Sequence, residues 1–523
     1  MGWLSEPRPY SHLMRSVRAS SAVAGSGLGR ADAESEGIAF GSGPGRRVLA
    51  IAVLGSGMAF LDGTAVNVAL PTIGRDLSAS TSSLQWILNG YLLALASLIL
   101  LGGSLGDRYG RRRVFLLGAG LFTIASLLCA VAPSVGALVA ARLVQGVGGA
   151  LLTPGSLAMI ESLFQPRDRP RAIGAWSGLT GVAAALGPLL GGYLVSAVSW
   201  RAIFLINLPV GAFVLVAARR VPETRDPTAR GPLDTPGASL AALGLAGITY
   251  ALIEGPQRGL SASVALPGAI GVLALAAFLA FERRSRNPML PLDIFSSRQF
   301  AAANLITFVV YAALGGVFFL FVAFLQISLG YSPIAAGAAS LPVTVLMLLL
   351  SSGSGALAQR IGPRIPLTVG PIGIAAGMLL MTRIEPGDSY VSTVLPAVIV
   401  FGLGLALVVS PVTATVLAAA EARRSGIASG VNNAVARVAG LLAVAVLPLI
   451  AGLSGHRFYE RAAMTSGFHV AMIACAALAG IGGVLAWLTI SDNVLQAEPE
   501  HRGEPPVAVS RDYSCGVTEP PPA

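Results

Sequence analysis

Fourteen long apolar blocks separated by short charged knots constrain this chain more than any other feature. They lie near 49–70, 84–105, 114–132, 136–160, 172–195, 202–218, 238–254, 264–281, 301–327, 333–353, 366–382, 392–417, 429–450 and 467–489. A helix needs about 20 apolar residues to cross a hydrocarbon layer roughly 30 Å thick. In lipid, only helices or closed barrels satisfy every backbone group. The blocks do not alternate apolar with polar residues, which argues against a barrel. Charged residues make up 11% of the 523, against about 25% in soluble domains, too few to cover a water-facing surface of this size. The predicted class is an all-α polytopic membrane protein. The segments 202–218 and 238–254 are the shortest and need flanking residues to reach the interface.

Orientation follows from arginine, because the chain has no lysine. The even-numbered loops and both tails carry 27 of the 35 basic residues, the odd-numbered loops six, and two (Arg142 and Arg437) fall inside spans. The positive-inside rule then places both termini in the cytoplasm and requires an even number of spans. This topology accounts for the net charge of +10 without a nucleic-acid partner. The polar segments 1–47 and 492–523 read as disordered cytoplasmic tails, and the first has no apolar stretch that would make it a signal peptide. Gly25-Ser-Gly27-Leu-Gly29 loosely echoes a phosphate loop but has neither strand before it nor helix pattern after it. Cys129, Cys475 and Cys515 have no metal or disulfide spacing.

One internal repeat is visible. Gly103-Ser-Leu-Gly-Asp-Arg-Tyr-Gly-Arg-Arg112 aligns without gaps on Gly355-Ala-Leu-Ala-Gln-Arg-Ile-Gly-Pro-Arg364, with five of ten positions identical. One copy follows the second span and the other the tenth. Two six-helix bundles, 48–220 and 300–491, with a 221–299 linker carrying two additional helices, give this register. Duplicated bundles around a central site are a common transporter plan.

Asp62 stands out chemically. An ionised carboxylate inside a span is costly unless paired or wet, and by default marks function. Low dielectric disfavours the charged form, which suits a group that takes up a proton. Asp62 lies ~12 Å from the outer end of its span, and Arg142, in the fourth span, ~9 Å from the same face, at 1.5 Å per residue. The two can pair. A carboxylate alternating between a guanidinium and a proton is a coupling switch; a static ion pair holding the bundle together is the alternative. Arg437 follows Asn432-Asn433 in the thirteenth span, with no acid at its depth in the second half, and is expected to line a cavity or meet a backbone carbonyl. Asn67, Gln145 and Asn433 are further candidates for a cavity wall. Glu161 and Glu254, at span ends, are expected to snorkel to the interface. Gly187-Pro188 with Gly191-Gly192 in the fifth span allows close helix approach and a bend. In the loop after the second span, Gly106 and Gly110 permit a tight turn, Asp107 is placed to cap a helix starting near Val114, and Arg111, Arg112 and Arg113 anchor the loop inside. There is no His-Glu-x-x-His, no Gly-x-Ser-x-Gly and no Walker lysine, so no enzyme constellation is expected and energy must come from an ion gradient.

These motifs resemble the major facilitator superfamily, and within it the fourteen-span drug:proton antiporters of the EmrB/QacA type, over roughly 48–490. The stretch Gly103–Arg113 is similar to the signature after helix 2. Leu138-Val-Ala-Ala-Arg142-Leu-Val-Gln145-Gly146-Val-Gly148-Gly149 resembles the helix-4 motif, Gly187-Pro188 with Gly191-Gly192 the antiporter motif of helix 5, and Leu61-Asp62 to Pro71 the helix-1 motif of the drug-exporting branches. The resemblance implies that Asp62 is the proton-coupling acid and Arg142 its partner. It further implies that Gly103, Gly106, Asp107, Arg108, Gly110, Arg111 and Arg112 form a cytoplasmic gate stabilising the outward-facing state, and that Gly187, Pro188, Gly191 and Gly192 form a hinge. The second-half copy has Gln359 where the signature has an acid, which weakens any gate there. The tenth span lacks the carboxylate that some exporters of multivalent cations carry, pointing to neutral, weakly charged or amphipathic substrates.

The function expected is therefore export of small hydrophobic or amphipathic compounds in exchange for protons by alternating access, from the plasma membrane, by a monomer, with the proton gradient in place of any cofactor. A same-fold exporter of an endogenous lipid or metabolite, and a non-transporting membrane sensor, are the competing readings.

Overall fold

The computed structural model describes residues 37–226, 232–259, 261–285, 287–421 and 424–495. The Gly25–Gly29 segment, Cys515 and most of both polar tails lie outside the described residues. Within them the chain is helical, and fourteen helices are long and apolar enough to cross a membrane.

In chain order these are α1 (Gly43–Asp76), α2 (Thr81–Tyr109), α3 (Arg111–Ala130), α4 (Val135–Leu163), α5 (Arg169–Ala197), α6 (Ala202–Arg220), α7 (Thr235–Arg258), α8 (Ala262–Arg284), α9 (Arg298–Ile327), α10 (Pro333–Ile361), α11 (Arg364–Met381), α12 (Tyr390–Ala418), α13 (Ser425–Ile450) and α14 (Arg461–Thr489). Several helices begin where a side chain satisfies an orphan backbone donor. Ser42, Ser80, Ser134 and Ser297 accept from the amides of Gly45, Ser83, Ala137 and Phe300, and Asp234 does the same for Gly237.

The two halves use one packing scheme. In the first, α2 and α3 pack on α4, α1 packs on α5, and α3 packs on α6; in the second, α10 and α11 pack on α12, α9 on α13, and α11 on α14. Helices eight apart in order thus take equivalent places, the same offset that separates the two repeat copies. The equivalence extends to detail. Gly110 and Gly362 hold matching positions, with φ of 110° and 86°, a conformation that glycine adopts without a Cβ penalty. An acid that follows the sixth helix of each half closes on each turn. Glu223 accepts from the Arg112 amide at 2.9 Å and lies 3.5 Å from its guanidinium; Asp492 lies 3.8 Å from that of Arg364.

The inserted helices α7 and α8 pack on each other, and α7 seats against both α2 and α13. Leu245 packs with Leu93, Ala96 and Leu441, so α7 fills the seam between the halves. Glu254 does not snorkel: it is buried and takes a hydrogen bond from Trp86 Nε1 at 3.1 Å.

Two expected tail boundaries are corrected. The helix starts at Gly43 rather than 48, and the residues before it are docked: Ile38 bridges to Phe164, and the Phe40 amide donates to Asp168 Oδ2 at 2.8 Å. Asp492–Leu495 form a 3-10 turn. Both segments are held by groups distant in sequence, which polar composition does not reveal.

Among the described residues, every hydrogen bond between the halves lies toward one end, the end opposite the termini. Gln85 Nε2 donates to Val444 O and Ala445 O at 2.7 and 3.0 Å, Thr81 to Gly455 O, Gln326 to Val68 O, the Ile334 amide to Ser196 Oγ, and Tyr459 to Ala79 O. The same end holds several close helix approaches. A Cβ at Gly191 would lie 3.0 Å from Ala65, one at Gly192 2.9 Å from Ile334, and one at Gly337 2.8 Å from the Pro188 carbonyl carbon. Gly187 likewise meets Thr64. The Gly187–Gly192 motif therefore packs α5 on α1 and on α10 of the opposite half.

Candidate functional site

α1, α4 and α6 bring Asp62, Arg142 and Asn207 together in the interior of the first bundle. Arg142 is 1% exposed and the Asp62 side chain 0%. An unpartnered charge in that setting costs several kcal/mol, and here the two charges are paired with each other. Arg142 donates to Asp62 Oδ2, to Gln145 Oε1 at 2.6 Å, and through Nε to the Ile87 carbonyl at 3.1 Å. Its guanidinium carbon lies 4.5 Å from the Tyr91 ring centroid and 5.8 Å from that of Phe204, the sandwiching that favours arginine over lysine.

Asp62 Oδ1 accepts from Gln145 Nε2 at 2.9 Å and Asn207 Nδ2 at 3.4 Å. Three donors thus converge on a group that, ionised, can only accept. Ser126 Oγ braces the cluster, receiving Gln145 Nε2 at 2.9 Å and Asn207 Nδ2 at 3.3 Å, and Cys129 Sγ lies 3.6 Å from Gln145 Oε1.

Sequence reasoning named Asp62, Arg142 and Gln145 but missed Ser126, Asn207, Tyr91 and Phe204. Asn207 carried a readable signal, a primary amide inside the sixth apolar block. A serine in an alanine-rich helix and two aromatics carried none.

A cavity of about 200 Å³ lies beside this cluster, between the halves. Phe60 of α1, Tyr311 of α9, Thr413 of α12 and Asn432, Asn433 and Arg437 of α13 line it. Asn433 and Arg437 thus face the space expected of them. Two candidates do not: Gln145 is consumed by the buried cluster, and Asn67 turns its amide to the Gly63 carbonyl of its own helix at 3.2 Å.

The loop after α2 differs from its expected geometry in one respect. Asp107 does not cap the next helix; Gly110 takes that place. Asp107 instead binds Arg111 one turn on, with Oδ1 receiving Nε at 2.9 Å and NH2 at 2.8 Å. The Asp107 carbonyl accepts the Asp226 amide, and the Arg111 amide donates to Thr224 O. Arg112 donates to Val221 O at 2.9 Å, and Arg108 lies 5.5 Å from the Tyr109 ring. Gly103 and Gly106 face Pro154 and Arg111. The described partners of Asp107, Arg111 and Arg112 all belong to the first half and the segment after α6.

Comparison with known proteins gives a consistent picture. A sequence model of the Major Facilitator Superfamily matches residues 52–444. The puromycin resistance protein pur8 of Streptomyces alboniger is 37% identical over 84% of this chain and 90% of its own length. The tetracenomycin C resistance and export protein of Streptomyces glaucescens is 37% identical over 77% of this chain and 75% of its own. Among solved structures, a bacterial homologue of the human lysosomal transporter Spinster, in an inward-facing and unoccupied conformation, superposes with a TM-score of 0.61 at 18% identity, covering 88% of this chain and all of that one.

Proposed function

Because the chain belongs to the Major Facilitator Superfamily, we propose that it is a secondary active exporter that expels small hydrophobic or amphipathic compounds, antibiotics among them, in exchange for protons. The relatives named for antibiotic resistance and export support the substrate class. The observation that carries the coupling is the enclosed Asp62–Arg142 pair beside a cavity between the halves.

In this reading the arginine-rich loops put both termini in the cytoplasm of a plasma-membrane protein. The hydrogen-bonded end of the halves is then outside, and the cavity communicates with the cytoplasm. Asp62 ionised and paired with Arg142 fits a state that has released its proton inward and is ready to take up substrate. Reorientation opens the outer contacts around Gly187, Pro188, Gly191 and Gly192, exposing the pair to the outer solution. Protonation of Asp62 there removes one charge, frees Arg142 from its partner and biases the return. The loop of Gly103, Gly106, Asp107, Arg108, Gly110, Arg111 and Arg112 acts as the cytoplasmic gate: its Asp107–Arg111 pair is closed on itself here and must rearrange to engage the second half. The bundles 48–220 and 300–491 rock as units, with the 221–299 pair riding on the seam. The monomer suffices, and the proton gradient stands where a cofactor would.

The test is transport by reconstituted protein in vesicles of a compound found in a drug-susceptibility panel with an efflux-deficient bacterial host. Substrate-induced proton release should vanish in Asp62→Asn while the purified variant stays monodisperse. Uphill efflux undiminished by that change sinks the coupling mechanism.

A further inference from the structure

Two arginines lie deep in the membrane-spanning region, and the structure treats them in opposite ways. Arg142 is enclosed, ion-paired and satisfied through Nε and NH1. Arg437 has neither a hydrogen bond nor an ion pair to any described residue; its one contact of note is the Phe60 ring, 5.3 Å from the guanidinium carbon to the centroid. It stands about 18 Å along α13 from Ser425 at 1.5 Å per residue, a depth at which a bare charge is expensive unless it faces water or a ligand. It faces the cavity.

The electrostatics of that cavity follow. The charge of nearby Asp62 is cancelled by Arg142, and among the described residues no carboxylate lines the wall, so the space carries the net positive charge of Arg437. The remaining wall supports the same polarity. The Asn432 amide is spent on Asn304 and Thr307 and the Asn433 amide on the Ser429 carbonyl, but the Tyr311 hydroxyl has no hydrogen-bond partner among the described residues. A planar fork of N–H donors suits a bidentate oxyanion, and the Phe60 ring lies within cation–π distance of the guanidinium, 5.3 Å to the centroid. Phe60 and Tyr311 supply aromatic surface to the same wall. Ligand pockets commonly span about 300–1,000 Å³, so this space takes the ring-and-charge end of a compound rather than a whole large drug.

We propose that this cavity binds aromatic anions, carboxylates or phenolates on a flat apolar body, with the Arg437 guanidinium as the anion-recognising group. The proposal rests on the export reading for its biological sense, since it takes the cavity to be the substrate site. It narrows the substrate class from amphipathic in general to anionic and disfavours organic cations, which meet like charge.

The experiment is equilibrium binding by calorimetry on the detergent-solubilised full chain, with three matched probes: naphthoate, naphthylmethanol and naphthylmethylammonium. Naphthoate should bind at least roughly tenfold more tightly than the ammonium probe, the range of one charge-assisted hydrogen bond. Arg437→Gln should abolish that preference and Arg437→Lys should retain part of it. Asn433→Asp, an isosteric change at an exposed cavity residue one turn from Arg437, should cancel it and carries the test if Arg437→Gln does not fold. Absence of binding by all three probes, equal binding, or an unchanged preference in Arg437→Gln or in Asn433→Asp overturns the proposal. So does a preference that survives Arg437→Gln but is lost in Arg142→Gln, which would move the anion site to Arg142. Binding is read without flux, so failure of proton-driven export and failure of this assignment give different results.

Discussion

A double-mutant cycle on the central pair separates a coupling switch from a static brace. The Arg142 and Asp62 side chains are 1% and 0% exposed, so removing either partner leaves an uncompensated charge where water does not reach. That typically costs about 3–5 kcal/mol. In Asp62→Asn the guanidinium keeps its bonds to Gln145 and Ile87 but loses its counter-charge; in Arg142→Gln the carboxylate keeps Gln145 and Asn207. The double variant holds no buried charge, and a neutral amide pair can hydrogen-bond in the same space. Its destabilisation should fall short of the sum of the singles by at least about 2 kcal/mol. Unfolding in mixed micelles followed by circular dichroism measures this. Singles that add to within about 0.5 kcal/mol would refute the idea that the two charges depend on each other. Drug-driven proton exchange in vesicles is the second readout. If the pair only braces the bundle, the double variant recovers exchange along with stability. If Asp62 is the exchanging group, stability returns and exchange does not.

Gly337→Val should wedge α10 away from Pro188 and open the outer contact, raising the labelling rate of a cysteine placed at Ser196; an unchanged rate means the contact is not tight. Gly110→Ala and Gly362→Ala should each destabilise by about 1–3 kcal/mol in the same unfolding assay, through positive φ and collision with Glu223 or Asp492. Gly174→Ala, with open space around it, should be neutral or slightly stabilising. Arg424, hydrogen-bonded at 2.5 Å, holds the Asp293 carboxyl below its ordinary value of 3.8. A depressed folded value gives stability that is present above about pH 4 and is lost as pH falls through the folded value. Asp293→Asn should therefore change stability little below that window and lower it slightly at neutral pH; a reversed trend refutes the pairing.

The spans were legible because lipid imposes one length and one composition on every crossing segment, so the fourteen apolar blocks survive as fourteen helices. The meeting of Asp62 and Arg142 was legible because few charges fall inside spans and these two share a depth. What the sequence hid was of a different kind. Ser126 and Asn207 matter through position alone, and Gln145 could serve either a cavity or an ion pair until packing chose. Asp107 was read as a helix cap because local rules favour that use, but Gly110 ends α2 in a conformation that gives the carboxylate to Arg111 instead. The acids that close on the repeat, Glu223 and Asp492, lie 111 and 128 positions from their arginines, beyond the reach of any local pattern.

The placement of charges also says where coupling must pass. Every residue of the Asp62 cluster belongs to the first half, whereas the cavity cation, Arg437, belongs to the second. A ligand on Arg437 therefore does not touch the proton site. The element common to both is α1: Phe60 faces the cavity with its ring 5.3 Å from the Arg437 guanidinium carbon, while Asp62, two residues on and about 200° around the helix, faces α4 and α6. Thr64, a turn beyond Phe60, ties the same helix to α5 through the Ala184 carbonyl at 2.9 Å. A displacement of Phe60 by substrate can reach Asp62 as rotation of α1, and a proton on Asp62 can reach the cavity by the same motion in reverse. Phe60→Ala should then uncouple proton release from transport while leaving the Asp62–Arg142 pair, and the stability it confers, in place.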